Sequence, residues 1–366
     1  MTLTTERPLI SFGIAAFNQE RFIEEAVRAA FSQTYSPLEI ILSDDCSSDC
    51  TYDVMQKLAS SYLGPHKVLL NRNPKNRGLG GHVSRIVELS KGELIVIAAG
   101  DDVSLPHRTE AIWRAWEDSA RRAMVIASGF IVIDEEGRLC EGNRKTATSD
   151  RAAVEVGSRS DLYEYCATLD VRPASRARMT GATFAWNPRL FSQFGPMPDR
   201  VVHDDSLIML RGLFAGTCVR IWEPLVKRRL HTNNLFFSGH EVAADLKNID
   251  KQEGGFWQTA RSRAGLYEAF VSDIKTALNE HLVSPDEARK LTQVCETKGQ
   301  IQRLLAEYGA ATTRQKMSLI RRLMALGVPR DTVRYLLIRL VPYRVFRNAK
   351  RAVNSIRRSL AWGHTK

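Results

Sequence analysis

Along the first 135 residues, short apolar runs alternate with amphipathic stretches. Residues 9–17 read as a strand, and residues 20–33 carry Phe22, Ala26, Ala29 and Ala30 at helical spacing. Residues 38–43 give a second strand, 51–60 a helix, 67–70 a short third strand, 80–90 a helix and 93–99 a short buried strand. Pro106 then stands where the N1 proline of a helix belongs, ahead of residues 109–120. This alternation predicts an α/β fold with a mostly parallel sheet covered on both faces. Ligands of such sheets lie beyond the carboxyl ends of the strands. After Glu135 the pattern loosens, and residues 137–159 are polar and turn-rich. A strand returns at 182–186, helices at 188–194 and 206–214, and a strand-like run at 219–222. Beyond His240 the chain reads helical nearly throughout, without repeats, and a boundary is expected near 235–245.

With 366 residues the chain is too long for one ordinary small domain. Its apolar runs, such as residues 94–99, are far shorter than the roughly 20 residues of a membrane span. The N-terminal MTLTTERPLISF has no basic region followed by an apolar one, so no secretory signal is expected. Six cysteines in such a chain suggest reduced thiols in a cytosol. Cys46 and Cys50 have no matching second pair, which argues against zinc.

Charge changes the picture at one end only. Residues 311–366 hold 14 Lys/Arg against one acid, Asp331, a net of +13. The other 310 residues hold 38 basic and 40 acidic side chains, a net of −2. Between Tyr343 and Trp362, Val345, Ala349, Ala352, Val353, Ile356 and Leu360 recur on one helical face, with Arg344, Arg347, Lys350, Arg351, Arg357 and Arg358 elsewhere. Such a helix suits an anionic bilayer surface. The alternative is a helix packed on its own protein with a solvated basic face. Nucleic acid is not expected, since no recognition fold accompanies the charge.

Four polar clusters follow four successive strands. They are Ala16-Phe17-Asn18-Gln19, Ser43-Asp44-Asp45-Cys46-Ser47-Ser48-Asp49, Asn76-Arg77-Gly78-Leu79-Gly80-Gly81 and Gly100-Asp101-Asp102. Singly, each is as well explained by a turn or a helix cap. The glycine run lacks the Lys-Ser/Thr of a phosphate loop. Together, in parallel strands, they meet at one sheet edge.

The ordered series over residues 8–109 resembles the nucleotide-binding half of family 2 glycosyltransferases, which have the GT-A fold, a Rossmann-like nucleotide-diphospho-sugar transferase architecture. It runs from Phe17-Asn18 and Glu20-Arg21-Phe22-Ile23-Glu24-Glu25-Ala26 through Gln33-Thr34-Tyr35 and the Asp44-Asp45 cluster. It closes with Asn76-Arg77-Gly78, Lys91-Gly92-Glu93 and Asp101-Asp102. A second block looks like the acceptor half: residues 181–186, Phe194-Gly195, His203-Asp204-Asp205, Glu223-Pro224-Leu225 and Arg229-Leu230-His231. The expected layout is a GT-A domain over 1–240, with nucleotide-binding (8–110) and acceptor (111–240) halves, and a helical region with a basic amphipathic tail over 241–366.

The resemblance implies an inverting glycosyltransferase with a nucleotide-sugar donor, a UDP-sugar foremost, and Mg²⁺ or Mn²⁺. Asp45 and Arg77 would offer uracil an acceptor and a donor. The backbone through Ala16 and Phe17 would border the base, with Asn18 supporting the turn. Asp102, with Asp101, takes the place of the metal motif, although Ala99 stands where that motif has its first Asp. Asp101 would also support the donor, and His231 would lie near the diphosphate or metal. Asp205 is the implied base, with Asp204 the alternative; alone, both read as ordinary helix N-terminal carboxylates. Trp186 is core or a sugar platform. The implied acceptor is a glycan or lipid-linked glycan of bacterial surface polysaccharide synthesis, with the protein cytoplasmic or peripheral on the cytoplasmic face of the inner membrane. Two other readings stand beside it. One is a non-catalytic nucleotide-sugar-binding or scaffolding protein. The other is a nucleotidyltransferase on a similar sheet, against which Phe17-Asn18-Gln19-Glu20 is not a Gly-rich basic loop.

Overall fold

The computed structural model describes residues 7–140, 153–169, 180–199, 201–202, 204–232, 234, 249–338 and 340. The basic segment 343–362 and His203 lie outside them.

Strands β1 (Ile10–Ala16), β2 (Leu38–Asp44) and β4 (Leu94–Ala99) are largely apolar and buried nearly throughout, as parallel strands covered on both faces require, with Glu39, Ser43 and Asp44 of β2 buried as well. With β3 (Lys67–Arg72) they form a parallel set in the order β3-β2-β1-β4. Helices α1 (Ile23–Phe31), α2 (Thr51–Ser60) and α3 (Gly78–Leu89) make the crossovers. Side chains of successive residues sort to opposite faces. Ile95 and Ile97 enter one core, while Leu94, Val96 and Ala98 enter the other. Where α3 crosses β1, a side chain at Gly13 would sit 2.5 Å from Ile86, so the close approach requires glycine.

The sheet continues past β4 with antiparallel β8 (Phe184–Trp186), then β6 (Ala123–Ile133), β9 (Thr217–Arg229) and the two-residue β5 (Val103–Ser104); β7 (Val154–Gly157) also pairs with β9. β6 is absent from the pattern-based reading. It reads as two apolar runs around Ser128-Gly129 rather than as an alternation, and such runs do not by themselves separate strand from helix. β9 runs seven residues past the expected end at Trp222, through Pro224. The ladder shifts register beside Gly129 and Pro224, and a strand tolerates proline at such an irregularity. Pro106 is not at N1. Helix α4 (Arg108–Asp118) is capped at His107, and the Pro106 carbonyl instead accepts the Thr34 N–H at 2.9 Å. The remaining helices of this part are α5 (Leu162–Thr168), α6 (Arg189–Phe194) and α7 (Asp204–Ala215). Trp186 is buried against Phe191, which makes it core.

Helices α8 (Ile249–Asn279), α9 (Pro285–Ala310), α10 (Thr313–Ala325) and α11 (Arg330–Ile338) follow. The chain divides into two compact units, Met1–Ala243 with Gly265–Glu296, and Ala244–Ala264 with Thr297–Lys366, so α8 and α9 contribute to both. The second unit is built on Ala260, Leu304, Leu305, Tyr308, Leu319, Ile320, Leu323 and Leu336. Thr312 and Gln315 form a reciprocal capping box at the head of α10. Among the described residues no helix is long and apolar enough to cross a membrane.

Candidate active site

Three backbone hydrogen bonds hold the carboxyl ends of the parallel strands together: Asp45 N–H to Ala16 O at 2.9 Å, Gly100 N–H to Ala15 O at 3.0 Å and Asn73 N–H to Asp44 O at 2.8 Å. Asn18 adopts φ +52°, a conformation its short polar side chain tolerates. Its N–H donates to Ser47 Oγ at 2.8 Å, and its Oδ1 accepts the Ser48 N–H at 2.9 Å. Asn18 thus joins the first polar cluster to the second. Phe17, beside it, is 45% exposed at the rim.

Asp45 is buried and reaches the third cluster. Its Oδ1 accepts Asn73 Nδ2 at 2.7 Å, and its two oxygens accept the Arg77 N–H at 3.0 and 3.1 Å. Asn71 Nδ2 donates to both Asn73 Oδ1 and Ser43 Oγ, and His82 Nε2 lies 2.8 Å from that same hydroxyl. Burial pushes the His82 imidazole below its usual range; the Asp45 and Asp44 charges oppose the shift, and Arg77 adds to it. Asp45 is therefore held at the end of a buried polar chain.

Asp101 and Asp102 follow β4, and both are buried. The strand extension of β9 brings Arg229 and His231 to them. Asp102 Oδ1 accepts the Arg229 N–H at 2.8 Å, and the Arg229 Nε donates to the Asp101 carbonyl at 3.1 Å. The rest of that guanidinium engages Glu25 and the carbonyls of Asp134 and Glu135. His231 Nε2 lies 2.9 Å from Asp101 Oδ2, which Asn234 Nδ2 also meets at 3.2 Å. Burial, and then the Asp101 charge, push the Asp102 carboxyl up to about 8, with the Arg229 N–H pulling the other way.

Arg108, fully buried, joins β4, which leads into this pair, to the acceptor half. It donates to Ser104 Oγ and to the carbonyls of Ile97, Ala182 and Phe184. Burial lowers its pKa to about 9, and the Asp102 charge opposes the shift. Next to Ala182, a Cβ on Gly181 would lie 3.1 Å from Asp204 Oδ2. Asp204 and Asp205 open α7, where a helix N-terminus favours carboxylates. Burial, and then the Asp205 charge, push Asp204 up to about 7. Asp205 is half-buried, and its Oδ1 accepts the Ser206 N–H at 2.7 Å. A second link ties α3 to the chain entering α7: the Gly80 N–H donates to Val201 O at 3.1 Å, and a Cβ on Gly80 would meet the Pro198 carbonyl at 2.6 Å.

The sequence-derived candidates therefore fall into three groups: Ala16, Phe17 and Asn18 with Asp45 and Arg77; Asp101 and Asp102 with His231; Asp204 with Asp205. Arg108, Arg229, Asn73 and Asn234 went unnoticed as partners. Arg229 stood in the quoted Arg229-Leu230-His231 block without a role, and an isolated Arg108, Asn73 or Asn234 carries no spacing signal; burial and bonding identify their parts only once the chain is folded. Among the described residues no group of three or more His, Cys, Asp or Glu side chains is gathered at metal-holding distance. A cation at Asp101–Asp102 would thus need substrate and water oxygens to complete its shell. That suits Mg²⁺, which is typically held by one or two carboxylates plus phosphates.

Residues 11–172 match the family model of Glycosyl transferase family 2. EpsE of Bacillus subtilis (strain 168) is 31% identical over 130 residues, 36% of this chain and 46% of its own. The UDP-Glc:alpha-D-GlcNAc-diphosphoundecaprenol beta-1,3-glucosyltransferase WfaP of Escherichia coli is 34% identical over 94 residues, 26% of this chain and 36% of its own. The chain spans less than half the length of either relative. The crystal structure of S. aureus TarS 1-349 in complex with UDP-GlcNAc superposes with a TM-score of 0.52 at 15% identity, covering 87% of this chain and 83% of that one. That likeness concerns the fold, which is GT-A followed by C-terminal helices.

Proposed function

We propose that the protein is an inverting glycosyltransferase that moves a sugar from a UDP-sugar to a glycan or lipid-linked glycan. The supporting observation is the meeting of Asp45 with Arg77, and the pair Asp101 and Asp102, at the carboxyl edge of one parallel sheet, with Arg108 bonding both Ile97 of β4 and Ala182, the neighbour of the Gly181 that lies close to Asp204.

Uracil offers one imide N–H flanked by two carbonyl oxygens. Asp45 Oδ2, less engaged than Oδ1, accepts that N–H, and the Arg77 guanidinium donates to a carbonyl. The backbone of residues 15–17 borders the base, and Asn18 holds that turn in place. Asp102 and Asp101, with His231 beside them, would hold a divalent cation, which when bound neutralises charge on the leaving diphosphate. The buried Asp102, raised to about 8 beside another carboxylate, fits a site built for a counter-charge. Asp205 takes the proton of the acceptor hydroxyl as that oxygen attacks the anomeric carbon. Attack comes from the face opposite the diphosphate, so the donor C–O bond breaks with its electron pair on the diphosphate and the configuration inverts. Asp204 is the alternative base, and a carboxyl near 7 has the proton affinity the step needs.

The diphosphoundecaprenol in the name of the E. coli relative supports a lipid-linked acceptor. The 14 basic residues of the segment 311–366 support peripheral attachment at the cytoplasmic face of a membrane. The test is incubation with a panel of UDP-sugars and Mn²⁺, followed by proton NMR of the first sugar product. Release of UDP with inversion at the anomeric carbon is expected. Retention of configuration, or no release from any donor, contradicts the proposal.

A further inference from the structure

Helix α10 packs Leu319, Ile320 and Leu323 into the core of its unit and turns Lys316 over the Tyr308 ring at 5.1 Å. Its opposite side carries two parallel ridges with the seven-residue spacing of a helix face. Arg314 and Arg321, both exposed, form one. Met317 and Met324, 38% and 58% exposed, form the other. Arg322 flanks them, and α11 adds exposed Arg330, Arg334 and Leu337. Asp331 is the single acidic side chain between Thr312 and Ile338. Two exposed methionines thus stand in line on α10, with an exposed leucine on α11, among basic side chains. At a bilayer interface they enter the acyl boundary while the arginines reach phosphate oxygens.

We infer that the outer face of α10 and α11 is a docking surface for an anionic lipid bilayer. The inference rests on the membrane attachment proposed above and names the surface that makes it. Charge selects the occupant. The segment 341–366 carries seven Lys/Arg and no Asp/Glu, so it is repelled by this face rather than suited to cover it. A second copy would bring the same positive charge. A surface of phosphatidylglycerol-type headgroups is complementary to both ridges.

The test uses the full chain and vesicles of phosphatidylcholine, with or without phosphatidylglycerol. Wild type is expected to sediment with the anionic vesicles only. Each basic residue at such a surface is worth roughly fivefold in partitioning, so Arg314→Glu/Arg321→Glu should lower it by about a hundredfold or more. Met317→Ser/Met324→Ser, which changes no charge, should lower it about tenfold or more through lost apolar burial. Both variants should keep the wild-type melting temperature, since the replaced side chains face solvent. A third variant, Lys350→Glu/Arg351→Glu/Arg357→Glu/Arg358→Glu, probes the later basic segment. If it alone releases the protein while both α10 variants bind as wild type does, the inference is overturned and membrane attachment stands. If the α10 variants release the protein, the inference holds whatever the third variant does. Failure of the wild type to bind anionic vesicles, or equal binding to neutral ones, overturns both.

Discussion

The backbone N–H of Arg229 donates to Asp102 Oδ1 at 2.8 Å, across 127 positions of sequence. The contact leaves Asp102 Oδ2 as the oxygen of that carboxylate best able to meet a substrate or cation. It also fixes the residue to β9 rather than to a mobile turn. Asp102→Ala should therefore abolish Mn²⁺-dependent UDP binding while the protein stays folded. Calorimetric titration of UDP with and without Mn²⁺ checks this, and undiminished metal dependence in the variant would remove Asp102 from the cation site.

Asp205→Asn keeps the shape of the side chain and cannot take a proton. Transfer should fall by roughly 10²–10⁴, the usual worth of general-base catalysis, with UDP affinity nearly unchanged. If Asp204→Asn shows the loss and Asp205→Asn does not, the base is Asp204.

Asp204 also sets a pH dependence of stability. Its folded pKa of about 7 lies above the ordinary carboxyl value because burial, then Asp205, disfavour its charge. Between about pH 4 and 7 the unfolded chain loses this proton and the native chain keeps it, so stability falls as pH rises through that window. The difference amounts to a few kcal/mol at most, by about 1.4 kcal/mol per pKa unit. Asp204→Asn should flatten this part of the melting-temperature profile. A variant profile parallel to that of the wild type would show that Asp204 does not carry the shift.

The α7 helix that bears both carboxylates is anchored at its far end by Arg211. Its Nε donates to Asp273 Oδ2 at 2.7 Å, and its Nη1 to the Gly195 carbonyl at 2.8 Å, with both side chains buried. Removing one partner of such a pair leaves an uncompensated buried charge, at a cost of about 3–5 kcal/mol. Asp273→Ala should lose that much in urea unfolding. The double variant Arg211→Met/Asp273→Leu should lose less, because replacing both charges with apolar groups is far better tolerated.

Arg77 offers a separate test of base recognition. Its main-chain N–H holds Asp45, a contact that substitution of the side chain does not remove. Arg77→Ala should therefore weaken UDP about tenfold or more with little change in melting temperature, as loss of a charged hydrogen bond is worth about 1.5–3 kcal/mol. An unchanged dissociation constant would remove the guanidinium from the donor site.

The parallel half of the fold was legible because its strands centre on short apolar runs and its helices are amphipathic, so β1, β2, β4 and α2 fall within a residue or two of their expected limits. The antiparallel half was not. β6 has no alternation, and the extension of β9 past Pro224 depends on pairing with a strand about 90 positions away. That extension delivers Arg229 and His231 to Asp101 and Asp102; His231 was expected there from the family resemblance, whereas the part Arg229 plays in holding both aspartates was hidden for the same reason. Asp45, Asp101, Asp102 and Asp204 were visible as polar residues at strand ends or a helix start. Arg108 was not, because nothing local distinguishes a buried arginine holding three carbonyls from an exposed one on α4.

The central claim, a nucleotide-sugar site built on Asp45, Arg77 and Asp102, is tested most directly by thermal denaturation of the wild type and the Arg77→Ala and Asp102→Ala variants. UDP, UDP-sugars and GDP are each added with and without Mn²⁺. A ligand that binds only the native state raises the melting temperature in proportion to the logarithm of its concentration over its dissociation constant. UDP and at least one UDP-sugar should raise it for the wild type, more strongly with Mn²⁺, and both variants should lose most of the shift. No shift with any uridine nucleotide at millimolar concentration, or the same shift in wild type and variants, would contradict the account.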